Sequence, residues 1–390
     1  MTYTDDFASD AGSRQTGTKT QLVMEDRNFR VALACAAVAV ALCSVGVGFS
    51  LHQQDWNVTA LVRMDDEDAI APLALLYHSD FAFVPEGHYD GVYFWAMAID
   101  PIARDEAHTL IDHPAYRYGH VGYSWLAWFL SLGREQVVPL SLLFLALVGA
   151  GMAGYSASRI SSHLGWTPYG GLAVALQPGL VYSVTVLTSE AVGFAVAGLA
   201  LLYWLEGRTW PTLGFMAFAG IVKEPFVLLP VALFLWALFR QRENLMSKAV
   251  LLGLTLVPAL FWQLYIYKTF DISSFKDTAS PIDFPFGWVD AMNEAAHMGL
   301  EAYERTQIGT IALPILVIAF ALVFVGIIKA LRFRSILDPV FLLQAGVVIA
   351  LSPAALTYPK DFARTAVFAL ALVVPAAFTD RAIRRGDPPS

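Results

Sequence analysis

Asp90 is the residue of this sequence best placed to act as an acid or a base. It follows Tyr89 and precedes Gly91 and the apolar, aromatic segment 92–99, which predicts a short helix lying on a membrane. Such a helix would hold the carboxylate between water and lipid, where partial desolvation raises the pKa of an acid. We therefore predict a general base that takes a proton from a hydroxyl group while a lipid supplies the other substrate. The alternative is an ordinary helix N-cap.

Arg117 has the surroundings of an anion-binding residue. Its neighbours are Tyr116 and Tyr118, and His113 lies four positions before it. A guanidinium stays charged and binds a phosphate through two parallel hydrogen bonds. The alternative is an arginine whose apolar stem lies in the membrane while its charge reaches the lipid headgroups.

Further ionisable residues lie directly beside apolar runs, where a charge is costly and therefore indicates function. They are Glu190, Lys223, Glu224, Lys360, Asp361 and Arg364, with Tyr358 just before the last group. Taken one at a time, each is explained equally well by an ion pair or by an anchor at the membrane interface.

The composition shows which kind of element must carry these residues. Of the 390 residues, 57% are hydrophobic and only 15% are charged, whereas about a quarter are charged in soluble domains. The sequence therefore predicts an all-α polytopic membrane protein. The net charge of −8 excludes the basic footprint expected of a nucleic-acid binder.

The apolar runs predict about ten transmembrane helices. A further run, 119–133, is short and aromatic, so we assign it to the membrane interface. The predicted spans lie near 31–51, 136–157, 167–188, 191–205, 211–222, 225–239, 249–267, 309–328, 336–354 and 362–378. The weakest assignment is the separation of 211–222 from 225–239 by Lys223, Glu224 and Pro225.

With ten spans, both termini lie in the cytoplasm and the two sides of the membrane differ in charge. Short connections rich in lysine and arginine then share the cytoplasmic side, as the positive-inside rule requires. They contain Arg159, Arg208, Arg240, Arg242, Lys248, Lys329, Arg332 and Arg334. Asp90 and the other candidate site residues all fall on the external face.

The predicted organisation is one transmembrane domain, 29–380, between two cytoplasmic tails. The first tail, 1–28, is polar and is expected to be disordered, and the second is 381–390. Two long external loops, 52–135 and 268–308, carry charged and aromatic residues, so function is expected there. The sequence contains no Walker loop, dinucleotide fingerprint, zinc motif or serine-hydrolase elbow.

This arrangement resembles the GT-C superfamily of membrane glycosyltransferases. The similarity rests on one span, a long external loop with Tyr89-Asp90-Gly91, and the segment ending in Pro114-Ala115-Tyr116-Arg117-Tyr118. It extends over about residues 30–380, although only the first loop carries a motif. The resemblance implies a GT-C fold with juxtamembrane helices and a mannosyltransferase-like activity that uses a polyprenyl-phosphate sugar.

The resemblance also implies roles for individual residues. Asp90 matches the catalytic aspartate of the first loop, and Glu190 matches a second acidic residue in the next external loop. Lys223 resembles the lysine of a Lys-Gly-Pro region, with glutamate in place of glycine. Lys360 and Arg364 occupy the place of late basic residues that approach the lipid phosphate.

The sequence lacks two acidic motifs that members of the GT-C superfamily carry. The first loop lacks the Asp-Glu pair of the protein O-mannosyltransferases, and the second loop lacks the Asp-x-Asp of the oligosaccharyltransferase. A metal requirement therefore stays open, with Asp90 and Glu190 as the ligands of a divalent cation if one binds. No other cofactor is expected.

We thus predict an inverting glycosyltransferase of the plasma (inner) membrane that serves glycan biosynthesis in the cell envelope. It would move a sugar from polyprenyl phosphate to a hydroxyl of a glycan, lipid or protein on the external or periplasmic face. The predicted catalytic residues are Asp90 and Glu190. The predicted phosphate-binding residues are Arg117, Lys223, Lys360 and Arg364. The predicted substrate contacts are Tyr89, His113, Tyr116, Glu224 and Tyr358.

Two alternatives belong to other functional classes. A transporter or flippase of lipid-linked glycans would use the same basic residues as a path for the phosphate. It predicts charged residues throughout the depth of the spans, whereas this sequence gathers them on one face of the membrane. A polysaccharide polymerase or ligase would take a whole oligosaccharide from a lipid diphosphate. Its chemistry would be the same as that of the predicted glycosyltransferase.

Overall fold

The computed structural model describes residues 8–84, 88–278, 286–301 and 307–378, and these contain helices and no strand. The helices of the first half of the chain are α1 Ala8–His52, α2 Ala71–Tyr77, α3 Gly91–Ile99, α4 Pro114–Tyr118, α5 Gly122–Leu130, α6 Val138–His163, α7 Gly171–Ala175 and α8 Pro178–Thr185. Short 3₁₀ turns at Val58–Val62, Ala107–Thr109, Glu135–Val137 and Pro168–Gly170 lie between them.

The second half of the described chain is built in the same way. Its helices are α9 Glu190–Leu205, α10 Thr209–Val222, α11 Leu228–Arg240, α12 Leu245–Phe270, α13 Gly287–Glu301, α14 Gln307–Ala330, α15 Leu337–Ala350, α16 Pro353–Leu356, α17 Pro359–Thr365 and α18 Val367–Phe378. A 3₁₀ turn, Glu224–Val227, joins α10 to α11.

Within the described ranges, four helical segments are long and apolar enough to cross a membrane, so the chain is a helical membrane protein. They are Glu25–His52, Glu135–His163, Leu245–Phe270 and Ile311–Ala330. The second of these, which contains α6, has 61% of its apolar window buried, against 28–33% for the other three. Helix α6 packs against α1 and α9, and it therefore lies inside the helical assembly.

The other predicted spans are shorter helices, so the count of ten spans is not confirmed by the described helices. Glu190–Leu205, Thr209–Val222 and Leu337–Ala350 are apolar but have only 14 to 16 residues each. The run 167–188 is not one helix, because α7 ends at Ala175 and α8 begins at Pro178. Gln177 is extended there (φ −70°, ψ 120°), as expected of a residue that precedes proline.

Two local sequence predictions agree with the structure. The run 119–133 forms the nine-residue helix α5, which is too short to cross a bilayer. The apolar stretch 211–239 is interrupted where the sequence predicts, since α10 ends at Val222 and Lys223 is extended (φ −159°, ψ 131°). Pro225 has no N–H group with which to continue the helix.

The N-terminal tail differs from the prediction where it is described. Helix α1 extends back to Ala8, so residues 8–28 continue the helix of the first span, where the sequence predicts a disordered tail. No proline interrupts this stretch, and extending an existing helix avoids the cost of a new nucleus. The predicted cytoplasmic tail 381–390 lies outside the described residues.

The first long loop is part of the packed protein. Its residues Val62, Trp95 and Tyr118 are buried in the same hydrophobic core as Leu142 of α6 and Leu187 before α9. The second long loop contributes α13, which packs against α14, while its residues 279–285 and 302–306 lie outside the described part. The first loop is therefore fixed against the membrane helices, and it can position side chains with precision.

Candidate functional site

Asp90 stands at the start of α3, but its side chain does not cap that helix. A Cβ atom at Gly91 would lie 2.5 Å from the Val186 carbonyl oxygen and 2.7 Å from that of Val62, so only glycine allows this close approach. The contact brings the start of α3 against the chain segment that leads into α9. Two carboxylates distant in sequence, Asp90 and Glu190, thereby come to line the same cavity.

The Asp90 carboxylate pairs with two arginines. Its Oδ1 accepts a hydrogen bond from Arg117 Nη1 at 3.1 Å, and its Oδ2 accepts one from Arg364 Nη1 at 2.7 Å. Arg117 also donates from Nε to Asp112 at 3.1 Å, and its guanidinium lies 3.5 Å from the centre of the Tyr93 ring. The side chains of the two arginines are only 13–14% exposed, so neither reaches out to lipid headgroups.

These charges reverse the pKa shift predicted for Asp90. Burial acts to raise the pKa of this carboxyl, but the charges of Arg364 and Arg117 outweigh burial and hold the pKa below its usual value. The prediction of a raised pKa is therefore wrong, because it considered desolvation without the cationic partners. Asp90 is ionised and engaged by two donors, and its role as a base stays a prediction.

Glu190 begins α9 with a second set of buried partners. Its side chain is 3% exposed, and Oε1 accepts a hydrogen bond from Lys223 and lies 3.5 Å from Arg364 Nη1. Ser183 donates to Oε2 at 3.2 Å. Lys223 reaches this position from the break between α10 and α11, and Arg364 lies between the two carboxylates.

The packing of α8 against α17 fixes the position of Arg364. A Cβ atom at Gly179 of α8 would lie 1.9 Å from the carbonyl oxygen of Ala363 and 2.8 Å from the backbone nitrogen of Arg364. Any larger residue would push α17 away. The arginine is thus held by a helix-to-helix contact as well as by its ion pairs.

The cavity formed by these residues has a volume of about 350 Å³ and two kinds of wall. One wall is ionic and contains Asp90, Arg117, Glu190, Lys223 and Arg364. The other wall is apolar and comes from the region of α15 and from α18; it contains Val347, Val348, Leu351, Phe368 and Ala369. This volume falls within the range of small-molecule sites.

Arg364 lines this cavity with an unused donor. Its Nε atom is buried and has no hydrogen-bond partner among the residues that the structure describes. A buried donor without an acceptor costs about 1–3 kcal/mol. An anionic oxygen in the cavity would remove this cost, so the site is suited to an anion.

The structure brings three of the six other predicted site residues to the cavity. Tyr89 and Tyr116 line it, as does Glu224. Tyr89 donates its hydroxyl proton to Asp361, and its ring lies 4.8 Å from the guanidinium of Arg364.

Three predicted site residues do not line the cavity. Lys360 is exposed, with its ammonium 5.6 Å from the centre of the Tyr89 ring. Tyr358 is 44% exposed, and His113 pairs with Asp277 at 3.2 Å. His113 helps to hold the loop, because the same aspartate accepts the backbone N–H of Ala115 at 2.9 Å.

The sequence does not single out two other lining residues, His120 and Gln344, as site residues, and it marks a third, Asp361, only as a charge beside an apolar run. His120 lies in an aromatic stretch and Asp361 in the charged segment before α17, and both types can act in chemistry. Gln344 has no such signal, because it is a single amide inside the apolar helix α15, where it donates to the Pro225 carbonyl at 2.9 Å.

The lining residues do not fit a divalent cation. Asp90 and Glu190, the ligands considered from the sequence, already contact three cationic side chains, namely Arg117, Lys223 and Arg364. A metal ion would have to displace these charges before it could bind. Across the described residues, no group of three histidine, cysteine, aspartate or glutamate side chains is placed to hold a metal.

Comparison of the sequence with protein-family models and with curated proteins found no match. The function of the chain is therefore inferred from the geometry of this site.

Proposed function

We propose that this protein is an integral-membrane inverting glycosyltransferase that takes a sugar from a polyprenyl-phosphate donor and transfers it to a hydroxyl group. The observation that carries the proposal is the unpartnered Nε donor of Arg364, which lines a cavity with an apolar wall on another side. A lipid phosphate ester has both features that this cavity matches, an anionic head and an apolar chain.

The three cationic side chains support the chemistry of the proposed step. When the bond between sugar and phosphate breaks, negative charge develops on the departing phosphate, and donors already in position lower the barrier. Arg364 can offer Nε to that phosphate, while Arg117 and Lys223 add positive charge to the same cavity. Asp90 and Glu190 hold these cations in place and orient them.

We propose a GT-C fold with about ten spans, cytoplasmic termini, and the cavity on the external side of the plasma membrane. The distribution of charge supports this orientation. Glu190 and Lys223 lie at one end of α9 and α10, and the basic residues Arg159 and Arg208 lie at the other end. Basic residues are expected on the cytoplasmic side.

The test is sugar transfer by the purified protein in lipid vesicles. The donors are polyprenyl-phosphate mannose, arabinose and glucose, each labelled in the sugar, and a membrane extract supplies acceptors. We expect label to enter a glycan, lipid or protein product. Arg364→Gln should lower the rate at least 100-fold, about the loss that follows removal of one charge-stabilising donor.

The matched control is Arg208→Gln, an arginine at the opposite end of the molecule, which should transfer at the wild-type rate. Folded wild-type protein that transfers no label from any of the donors would overturn the proposal. Transfer from a lipid diphosphate alone would favour the ligase, and movement of labelled lipid across the vesicle without transfer would favour the flippase.

A further inference from the structure

A histidine and a glutamate form a second acid-base pair in the cavity, separate from the ion pairs of Asp90 and Glu190. His120 Nδ1 lies 2.7 Å from Oε1 of Glu224, and both residues line the cavity. The His120 side chain is 10% exposed and that of Glu224 is 24% exposed. No step of the proposed transfer has yet used this pair.

The surroundings of His120 fix its ring and its tautomer. The imidazole lies 5.2 Å from the Tyr116 ring and 5.8 Å from the Phe94 ring, measured between centroids. A carboxylate can only accept, so Nδ1 must carry the proton that it shares with Glu224. In the neutral ring Nε2 then has a free lone pair, and no hydrogen bond engages it within the described part of the chain.

Asp90 and Glu190 are less suited to receive a proton. Each oxygen of Asp90 accepts from an arginine, and Glu190 accepts from Lys223 and Ser183. A carboxylate neutralised by cations binds a further proton weakly. An imidazole with a carboxylate on one nitrogen and a free lone pair on the other is the arrangement of a general base.

We infer that His120, oriented by Glu224, is the base that removes the proton from the acceptor hydroxyl; this inference rests on the proposed glycosyl transfer. In the step, the hydroxyl oxygen bonds to the anomeric carbon of the donor sugar. The bond from that carbon to the phosphate oxygen breaks, and its electron pair leaves with the phosphate. The hydroxyl proton passes to Nε2 of His120. Asp90 then serves to hold Arg117 and Arg364.

The test is the pH dependence of transfer from labelled polyprenyl-phosphate sugar to the membrane extract. The wild-type rate should fall on acidification, because an imidazole that already carries two protons cannot accept the hydroxyl proton. His120→Gln should lower kcat about 100- to 10,000-fold, leave the KM for the donor unchanged, and abolish this fall. Other ionisable groups lie around the pair of His120 and Glu224 and can affect the pH profile. They are Tyr116, Arg117, Lys223, Asp90 and Arg364.

Glu224→Gln tests the positioning role, because it leaves the imidazole in place. It should slow transfer less than His120→Gln does and should move the acidic fall to another pH. This variant also keeps the inference testable if His120→Gln does not fold. The matched control is His163→Gln, at the opposite end of the molecule, where the histidine lies 3.5 Å from Glu206. That variant should match the wild type.

The outcomes separate the two proposals. If His120→Gln transfers sugar at the wild-type rate with the same pH profile, the inference about His120 is overturned and the glycosyl transfer stands. If Asp90→Asn removes the acidic fall and His120→Gln keeps it, Asp90 is the base. If folded wild-type protein transfers nothing, the proposed function fails and takes this inference with it.

Discussion

Helix α9 carries a glutamate at each end, and the two glutamates have opposite surroundings. Glu190, at its start, is 3% exposed and accepts hydrogen bonds from Lys223 and from Ser183. Glu206, just after its end, is 21% exposed and lies 3.5 Å from Arg159 and 3.8 Å from Arg208. With 16 residues in α9, the two ends are about 24 Å apart.

The difference between the two glutamates shows which charges of this protein are buried at a cost in folding free energy. The pairs of Glu206 are partly open to solvent, since Glu206 is 21% and Arg208 is 57% exposed, and pairs at a surface contribute about 0–1 kcal/mol to stability. Burying a charge costs several kcal/mol, and a partner recovers that cost only with good geometry. A network that includes Glu190, Asp90 and three cations would not form for stability alone, which supports a role in binding or catalysis.

The largest expected effect comes from replacing the two glutamates one at a time. Glu190→Gln leaves Lys223 without its anionic partner and removes one of the two carboxylates beside Arg364. It should lower the free energy of unfolding by about 3–5 kcal/mol. Glu206→Gln should lower it by less than about 1 kcal/mol. Denaturant titration in detergent micelles measures both. Equal losses in the two variants would remove the contrast between the ends of α9.

A smaller effect is expected from replacing two glycines that differ in the space around them. Gly179→Ala places a Cβ atom against the backbone of α17 and should cost about 1–3 kcal/mol through strain. It should also weaken donor binding, since α17 carries Arg364. Its control, Gly214→Ala in α10, meets no atom within 4 Å and should raise stability by about 0.5–1 kcal/mol through helix propensity.

Thermal unfolding in detergent and retention of labelled donor are the two measurements for these glycine variants. If Gly179→Ala unfolds at the wild-type temperature and binds the donor as well as wild type does, the contact between α8 and α17 does not position Arg364.

The sequence predicts those features of the site that depend on short stretches of chain. Pro225 predicts the break after Val222, and the aromatic run predicts the short helix α5. Asp90 and Arg117 both lie in the first external loop, so their closeness in the sequence already indicates that they lie in the same part of the protein. Hydropathy alone does not predict every break. The run 167–188 is apolar as a whole, yet the helix is interrupted at Gln177, the residue before Pro178.

What the sequence does not predict are the long-range pairs. Asp90 and Arg364 are 274 positions apart, and no periodicity indicates that they meet. The direction of the Asp90 pKa shift depends on this meeting, which explains why desolvation considered alone predicts the wrong sign. The same holds for His120, which lies in an aromatic stretch of the sequence. It becomes a candidate base only through its contact with Glu224, and that residue is 104 positions away.

The smallest expected effect is that of salt on the two glutamate variants. Raising the ionic strength from about 0.1 M to 1 M shortens the Debye length from about 10 Å to 3 Å, which screens charges that face solvent. The stability difference between wild type and Glu206→Gln, already small, should therefore vanish. The difference for Glu190→Gln should persist, because little solvent or salt reaches a side chain that is 3% exposed. Denaturant titration of the three proteins at both ionic strengths tests this, and an equal loss of both differences would mean that salt reaches the network around Glu190 as freely as the opposite end of α9.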